Sequence, residues 1–338
     1  MSNPDVTVLL CVYNDERFLE AALAGLVAQT FRNFELLVVN DASTDRTPRI
    51  LDDFARRDRR VRVHANDANL GLTRSLNVGL SLARGRYIAR HDSDDVSSPD
   101  RIARQYKRLR DDPSLGLVGS AYRVVDARGR SLAVHRQPVE DSEIRWQLLF
   151  HNAFCHSSVM ARRDVIERVG GYDERLVCAQ DFDLWVRVSR AARCANLLRP
   201  LVAFRTNDAG VSATRRTLQQ HTADRIAARQ IAALTPNLEW TPNEIRTLRD
   251  WFYAFPERLA FHERPLAQKL SSLVDAFAAQ DAVDPRFAAR LKRTWSRRIE
   301  SAVGPDAPAS SRLARRVRSI LAGLTQLGKP RLGGAARP

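Results

Sequence analysis

The stretch Val6 to Val12 is apolar except for Thr7, as expected of a strand buried on both faces. Phe18, Leu19, Ala22, Leu23, Leu26 and Val27 then recur at helical spacing. Phe34 to Asn40 repeats the strand pattern, and Thr47 with Pro48 marks the start of a second helix. Val61 to His64 reads as a third strand, Asn69-Leu70-Gly71 as a turn, and the following helix stops near Ala83 before Gly85. Tyr87 to His91 is the fourth strand, and Ser98-Pro99 opens another helix. Strands alternating with helices predict a mostly parallel sheet with helices on both faces, an α/β fold.

A mixed section follows, with strands near Leu117 to Val125, Ser157 to Met160 and Leu197 to Phe204, and helices near Arg163 to Val169 and Phe182 to Ala191. From residue 215 the pattern is helical. Three regions are expected: an α/β domain over 1–214, a helical region over 215–327, and a disordered end over 328–338.

Charge adds a second asymmetry to this division. Residues 1–214 carry 32 basic and 28 acidic side chains, 215–285 carry 9 of each, and 286–338 carry 13 basic against 2 acidic. The net charge of +15 therefore sits mainly on the C-terminal end, which could meet nucleic acid or anionic lipid head groups. Within it, Leu313, Val317, Ile320, Leu321, Leu324 and Leu327 share one helical face while Arg312, Arg315, Arg316 and Arg318 enrich the others. That is the makeup of a basic amphipathic helix on a membrane surface, or of one packed on its own domain with a solvated basic face. No apolar run approaches the roughly 20 residues that cross a bilayer, and no signal core opens the chain. A cytoplasmic chain is expected, with peripheral contact to the inner membrane. The spacing of Cys11, Cys155, Cys178 and Cys194 fits no zinc motif, and in a reducing compartment they remain small apolar residues.

The acidic clusters fall where strands end, and ligands of open α/β sheets bind beyond the carboxyl ends of parallel strands. Asp41 follows the second strand and Asp92-Ser93-Asp94-Asp95 the fourth. Carboxylates this close repel one another unless a cation, a capping role or solvation compensates. A divalent metal, Mn²⁺ or Mg²⁺, would suit oxygen ligands of this kind and could bridge to a diphosphate; an acidic turn capping the next helix is the structural alternative.

Several blocks, taken in order, narrow the choice: Val8-Leu-Leu-Cys-Val-Tyr13-Asn14, Gln29-Thr30-Phe31, Asn40-Asp41-Ala-Ser43-Thr44-Asp45, Asn69-Leu-Gly71, Gly85 to Asp95, His156-Ser-Ser158-Val-Met160, Gly170-Gly171-Tyr172-Asp173 and Ala179-Gln180-Asp181-Phe-Asp183-Leu-Trp185-Val-Arg187. Over about residues 4–212 the chain resembles the family 2 glycosyltransferases, inverting nucleotide-sugar enzymes of the GT-A fold.

That resemblance implies a nucleoside diphosphate sugar donor, with a UDP-sugar favoured, and a saccharide or lipid-linked acceptor in surface polysaccharide or glycolipid assembly. It carries nucleotide contacts onto Cys11, Tyr13, Asp41, Asn69, Gly71, Asp92 and Arg205, metal ligation onto Asp94 and Asp92, and the general base onto Asp181. Cys11 stands where the family often has Pro, Gln180 where it has Glu, and Asn207 where it often has His. A sugar or acceptor pocket is implied at His156, Ser158, Gln180 and Trp185, although Trp185 also reads as core packing of its helix. At a helix N-terminus Asp181 should stay readily ionised and act through position more than through a raised pKa.

Other functions fit less well. A sugar-nucleotide nucleotidyltransferase or a dinucleotide oxidoreductase would need a Gly-rich loop after the first strand, where Val12-Tyr13-Asn14-Asp15-Glu16 is acidic. A nucleic-acid binder using the basic end would leave the Asp clusters unexplained.

Overall fold

The computed structural model describes residues 3–206, 215–253 and 264–303. The expected alternation forms β1 (Val6–Val12), α1 (Leu19–Val27), β2 (Phe34–Asn40), α2 (Thr47–Arg57), β3 (Val61–Ala65), α3 (Leu72–Leu82) and β4 (Tyr87–Asp92). Next come β5 (Val96–Ser97), α4 (Arg101–Asp111), β6 (Leu115–Val125), β7 (Ser131–His135) and α5 (Asp141–Gln147). After a 3₁₀ turn (His156–Ser158) follow β8 (Met160–Arg162), α6 (Arg163–Arg168), α7 (Gln180–Ala191) and β9 (Arg193–Arg205). The helical region holds α8 (Arg216–Leu234), α9 (Pro242–Tyr253), α10 (Arg264–Ala278) and α11 (Pro285–Val303).

One mixed sheet runs in the order β3-β2-β1-β4-β8-β6-β9-β5, with β7 added to β6. Its first four strands are parallel, and β8 joins β4 antiparallel. One face buries Leu9, Leu37, Leu76, Phe182, Leu184 and Trp185 beneath α3, α6 and α7. The other buries Val8, Leu10, Leu23, Leu36, Leu51 and Ile102 beneath α1, α2 and α4. Such two-faced burial is what uninterrupted apolar strands require. Gly85 lets the chain enter β4 against β1, because a Cβ there would lie 2.3 Å from the Thr7 nitrogen.

Of the expected boundaries that shift, such as the last strand starting at Arg193 instead of Leu197, two have a local cause. The strand predicted over Ser157 to Met160 is a 3₁₀ turn followed by a shorter strand, as the Ser158 hydroxyl donates back to the Cys155 carbonyl at 2.9 Å. The helix after Ser98-Pro99 begins at Arg101, because the Ser98 and Pro99 carbonyls accept bonds from the Gln29 side chain and the Thr30 amide.

The helical region has a separate core in which Ala227, Ile231, Leu248, Leu270, Leu273 and Trp295 pack with Trp146, Leu149 and Phe150 of the α5 segment. Buried Asp183 of α7 adds ion pairs to Arg187 and to Arg229 of α8. No described helix is long and apolar enough to cross a membrane. The amphipathic stretch 313–327, the segment 328–338 and Asn207 lie outside the described residues.

Candidate active site

Parallel pairing brings the ends of β1, β2 and β4 to one rim, with Cys11 opposite Asp92 and Val12 opposite Asn40. The Asp41 amide donates to the Val12 carbonyl at 2.9 Å, just before Tyr13 leaves the sheet 49% exposed. The Asp41 carboxylate is buried and accepts the Leu70 and Gly71 amides at 2.8 and 2.9 Å and the Asn66 side chain at 2.8 Å. A carboxylate has about four acceptor sites, so Asp41 keeps capacity for one more donor while organising the 66–71 loop. Gly71 takes φ +81°, a conformation that side chains resist. Exposed Asn69 accepts the Gly71 amide at 3.2 Å, and Leu70, not singled out in the sequence, remains 39% exposed.

Cys11 departs from its expected nucleotide contact. It points into the core beneath the rim, where burial pushes its thiol up to about 12. All four cysteines are free and buried.

The acidic turn is held from several sides. Asp92 forms an ion pair with Arg90 and accepts the Ser157 hydroxyl at 2.5 Å. Burial alone would raise its pKa, but Arg90, then His156 and Ser157, outweigh it and bring the carboxyl to about 2. Each Asp92 oxygen thus accepts one bond from protein, which leaves about two acceptor sites for the ribose or metal contact expected of it beside Asp94. The Ser93 hydroxyl donates to Asp15 at 2.6 Å, tying the turn to the loop after β1. Asp95 is buried, and burial followed by the Asp92 and Asp94 charges raises its pKa well above the usual range. Asp94 remains part-exposed between them.

Arg205 also departs from its expected role as a phosphate partner. Its guanidinium donates to the carbonyls of Asp94, Asp126 and Ala127 at 2.9 to 3.0 Å and lies over the Phe18 ring, while its amide donates to Asp95 at 2.8 Å. Arg205 therefore fastens the acidic turn to the far end of β9. His91 packs beneath the turn, buried and facing Arg101.

The opposite wall is the start of α7. Ala179, immediately before the helix, has φ +54°. Asn14 and Ala42 have φ of 49° and 59°, and these are the non-glycine residues of positive φ among those described. Each lies within two residues of Tyr13, Asp41 or Asp181, so strained backbone concentrates at this rim. The Asn152 amide group donates to Asp181 at 2.7 Å. Burial, with a smaller push from the Asp92 charge, raises Asp181 to about 6 against the opposing bonds from Phe182 and Asn152. Contrary to the sequence expectation, burial outweighs the helix N-terminus. Its carboxyl is thereby suited to take up a proton near neutral pH.

Gln180 is buried beside Asp181. The His156 ring meets the Tyr172 hydroxyl at 2.9 Å, and burial, then Arg90, lowers its pKa to about 3, leaving it neutral. Trp185 is 1% exposed and packs against Phe154, His156 and Tyr172 as a core residue, not a pocket lining. Ser158 is likewise fully buried, bonded to Ser120 and Cys155, and it is neighbouring Ser157 that reaches Asp92.

Sequence reading missed Arg90, Asn152, Ser157 and Asp15. Arg90 had a signal, since residues two apart on a strand share a face and Asp92 follows it at that interval. Asn152 had none, being 29 residues from its partner.

The Glycosyl transferase family 2 model matches residues 7–170. EpsE of Bacillus subtilis (strain 168), named as a glycosyltransferase, is 35% identical over 189 residues, 55% of this chain and 67% of its own length. The O-antigen biosynthesis glycosyltransferase WbnJ of Escherichia coli is 28% identical over 193 residues, 57% of this chain and 74% of its own. TarS 1–349 of S. aureus, solved with UDP-GlcNAc, aligns with a TM-score of 0.58 at 18% identity, covering 88% of this chain and 89% of that one. The mannosyltransferase PcManGT of Pyrobaculum calidifontis, solved with GDP-Man and Mn²⁺, gives 0.52 at 19% identity over 96% of this chain and 81% of that one. The chain belongs to glycosyltransferase family 2. Its sheet and helices form a GT-A fold, and it is a glycosyltransferase.

Proposed function

We propose that the enzyme transfers a sugar from a nucleoside diphosphate sugar, with a UDP-sugar first in line, to an acceptor hydroxyl with inversion at the anomeric carbon. The observation that carries this reading is the placement of Asp181, its carboxyl raised toward neutrality, within electrostatic reach of Asp92 on the acidic turn. In the proposed step the acceptor oxygen bonds to the anomeric carbon as the bond to the diphosphate oxygen breaks, and the hydroxyl proton passes to Asp181. A single displacement needs no covalent enzyme intermediate. Exposed Tyr13 and Leu70, both attached to residues bonded to Asp41, offer apolar surface to a nucleobase.

Among the described residues, no three His, Cys, Asp or Glu side chains gather into a ready-made metal cage. The hard oxygen of part-exposed Asp94 still fits a Mg²⁺ or Mn²⁺ that takes its remaining ligands from diphosphate and water. Such an ion would neutralise charge on the departing diphosphate. The names of WbnJ and TarS's ligand support an activity in surface polysaccharide assembly with a UDP-sugar donor. A saccharide or lipid-linked acceptor follows from that reading, as does a cytoplasmic site of action with the basic C-terminal end against an anionic membrane.

A panel of nucleotide sugars, scored for Mn²⁺-dependent release of nucleoside diphosphate and for the configuration of the product, tests the proposal. Release from one sugar class with inverted product is expected. Retained configuration would overturn the single displacement, and no turnover of any nucleotide sugar with any supplied acceptor would overturn the donor class.

A further inference from the structure

Asp181 lies on α7, but the residue that grips its carboxylate comes from elsewhere. Asn152 follows α5, and its side-chain nitrogen donates to Asp181 Oδ2 at 2.7 Å while its Oδ1 accepts the Phe154 amide at 3.1 Å. An amide group held at its oxygen end presents its N–H in a fixed direction. The main chain of Asn152 is fixed as well, since its carbonyl accepts the Gln147 side chain at 3.2 Å.

The two residues before Asn152 are clasped by the helical region. Arg249 of α9 donates from Nε to the Phe150 carbonyl at 2.8 Å, and the His151 Nε2–H donates to the Arg249 carbonyl at 2.6 Å. Burial lowers His151 to about 4, so the ring is neutral at physiological pH, with the proton placed by that carbonyl. Arg249 is itself paired with Asp224 of α8, and the Phe150 ring stacks on Phe252 with centroids 3.8 Å apart. The segment leading into Asn152 is therefore anchored to a core separate from the sheet that carries α7.

We propose that Asn152 is the positioning residue for the base Asp181, orienting its free lone pairs toward the acceptor hydroxyl and holding it ionised. This rests on the reading of Asp181 as general base. The groups around that carboxyl are consistent with such a need. Asp92 opposes its ionisation from β4, Tyr172 lies near it from the segment before α7, and Arg90 acts on both Asp92 and Tyr172. Asp183, the other acid of the first turn, is engaged by Arg187 and Arg229. Asn152 supplies the side-chain hydrogen bond to Asp181. A hydrogen bond to a charged group of this kind corresponds to roughly one pH unit or more in the acceptor's titration.

The test uses the full chain with aspartate labelled by ¹³C at the carboxyl, the Asp181 signal being assigned by its loss in D181N. In N152A the midpoint should rise by about one pH unit, so kcat should fall about tenfold at pH 5 but only about twofold at pH 7 from lost ionisation, with donor KM within twofold of wild type. N152D keeps the acceptor for Phe154 and swaps the donor for a second carboxylate, so the pair should titrate in two steps and transfer should recover only at higher pH. It serves where N152A fails to fold. An unmoved Asp181 titration in both variants overturns the inference. A moved titration with unchanged kcat supports the contact and overturns the assignment of Asp181 as base, which separates the two failures.

Discussion

Arg90 and Asp92 sit two residues apart on one face of β4, and the 2%-exposed guanidinium forms an ion pair with the carboxylate at the strand's end. Arg90 Nε and Nη1 find no hydrogen-bond partner among the described residues. This cation is thus held in the core chiefly by the charge of Asp92, and Asp92 is kept ionised chiefly by Arg90 against the pull of burial.

Breaking that pair should be costly in both directions. R90M leaves Asp92, 27% exposed and still bonded to Ser157, without its counter-charge, so the cost should fall below the roughly 3–5 kcal/mol of breaking a fully buried pair. Calorimetry should show a lower Tm for R90M, with partial recovery in the double variant R90M/D92N. Because the folded pKa of Asp92 is depressed to about 2, its contribution is present above the ordinary value and lost as pH falls through about 2. The Tm gap between wild type and R90M should therefore narrow under strong acid.

Asp181 gives the opposite pH dependence. As a base it must be ionised, so kcat/KM should climb about tenfold per pH unit up to about 6 and flatten above. Its raised folded pKa favours the protonated form, a contribution present below the ordinary carboxylate value and lost as pH rises through about 6. D181N should lower kcat by about 10²-fold or more, leave nucleoside diphosphate binding intact, and raise Tm at pH 8 but not at pH 4. Wild-type turnover by D181N would remove it from the mechanism.

Metal dependence should rest on Asp94. Chelation should stop transfer, and added Mn²⁺ or Mg²⁺ should restore it. D94A should not be restored at any metal concentration that saturates wild type, measured as nucleoside diphosphate release. Full chelator resistance would refute the role.

The Asp41 carboxylate links the β2 rim to the 66–71 loop through both of its oxygens. D41N retains only one acceptor oxygen, so either Leu70 or Gly71 loses its bond. Donor KM should rise about tenfold while kcat changes less, a split visible in steady-state kinetics.

The strands of the first half were legible because a sheet buried on both faces writes itself as apolar runs, seen in Val6–Val12 and Phe34–Asn40. The acids at their ends were legible for the same reason, since a parallel sheet delivers Asp41 and the Asp92 turn to one rim. What each side chain does there was another matter. Arg205, Ser158, Trp185 and Cys11 have the chemistry of site residues, yet carbonyl groups and core packing claim them. Asp181 was placed at a helix start by pattern, but its raised pKa came from burial, to which neighbours distant in sequence contribute.

The sequence by itself determined the alternation of strands and helices, the family, and where along the chain the acids lie, because periodicity and motif order are local properties. Tertiary structure alone decided how burial and partners shift each acid, which arginine answers which carboxylate, and that Asn152 beside the helical region bonds Asp181. Those outcomes depend on burial and on contacts between residues far apart along the chain, and no local pattern encodes either.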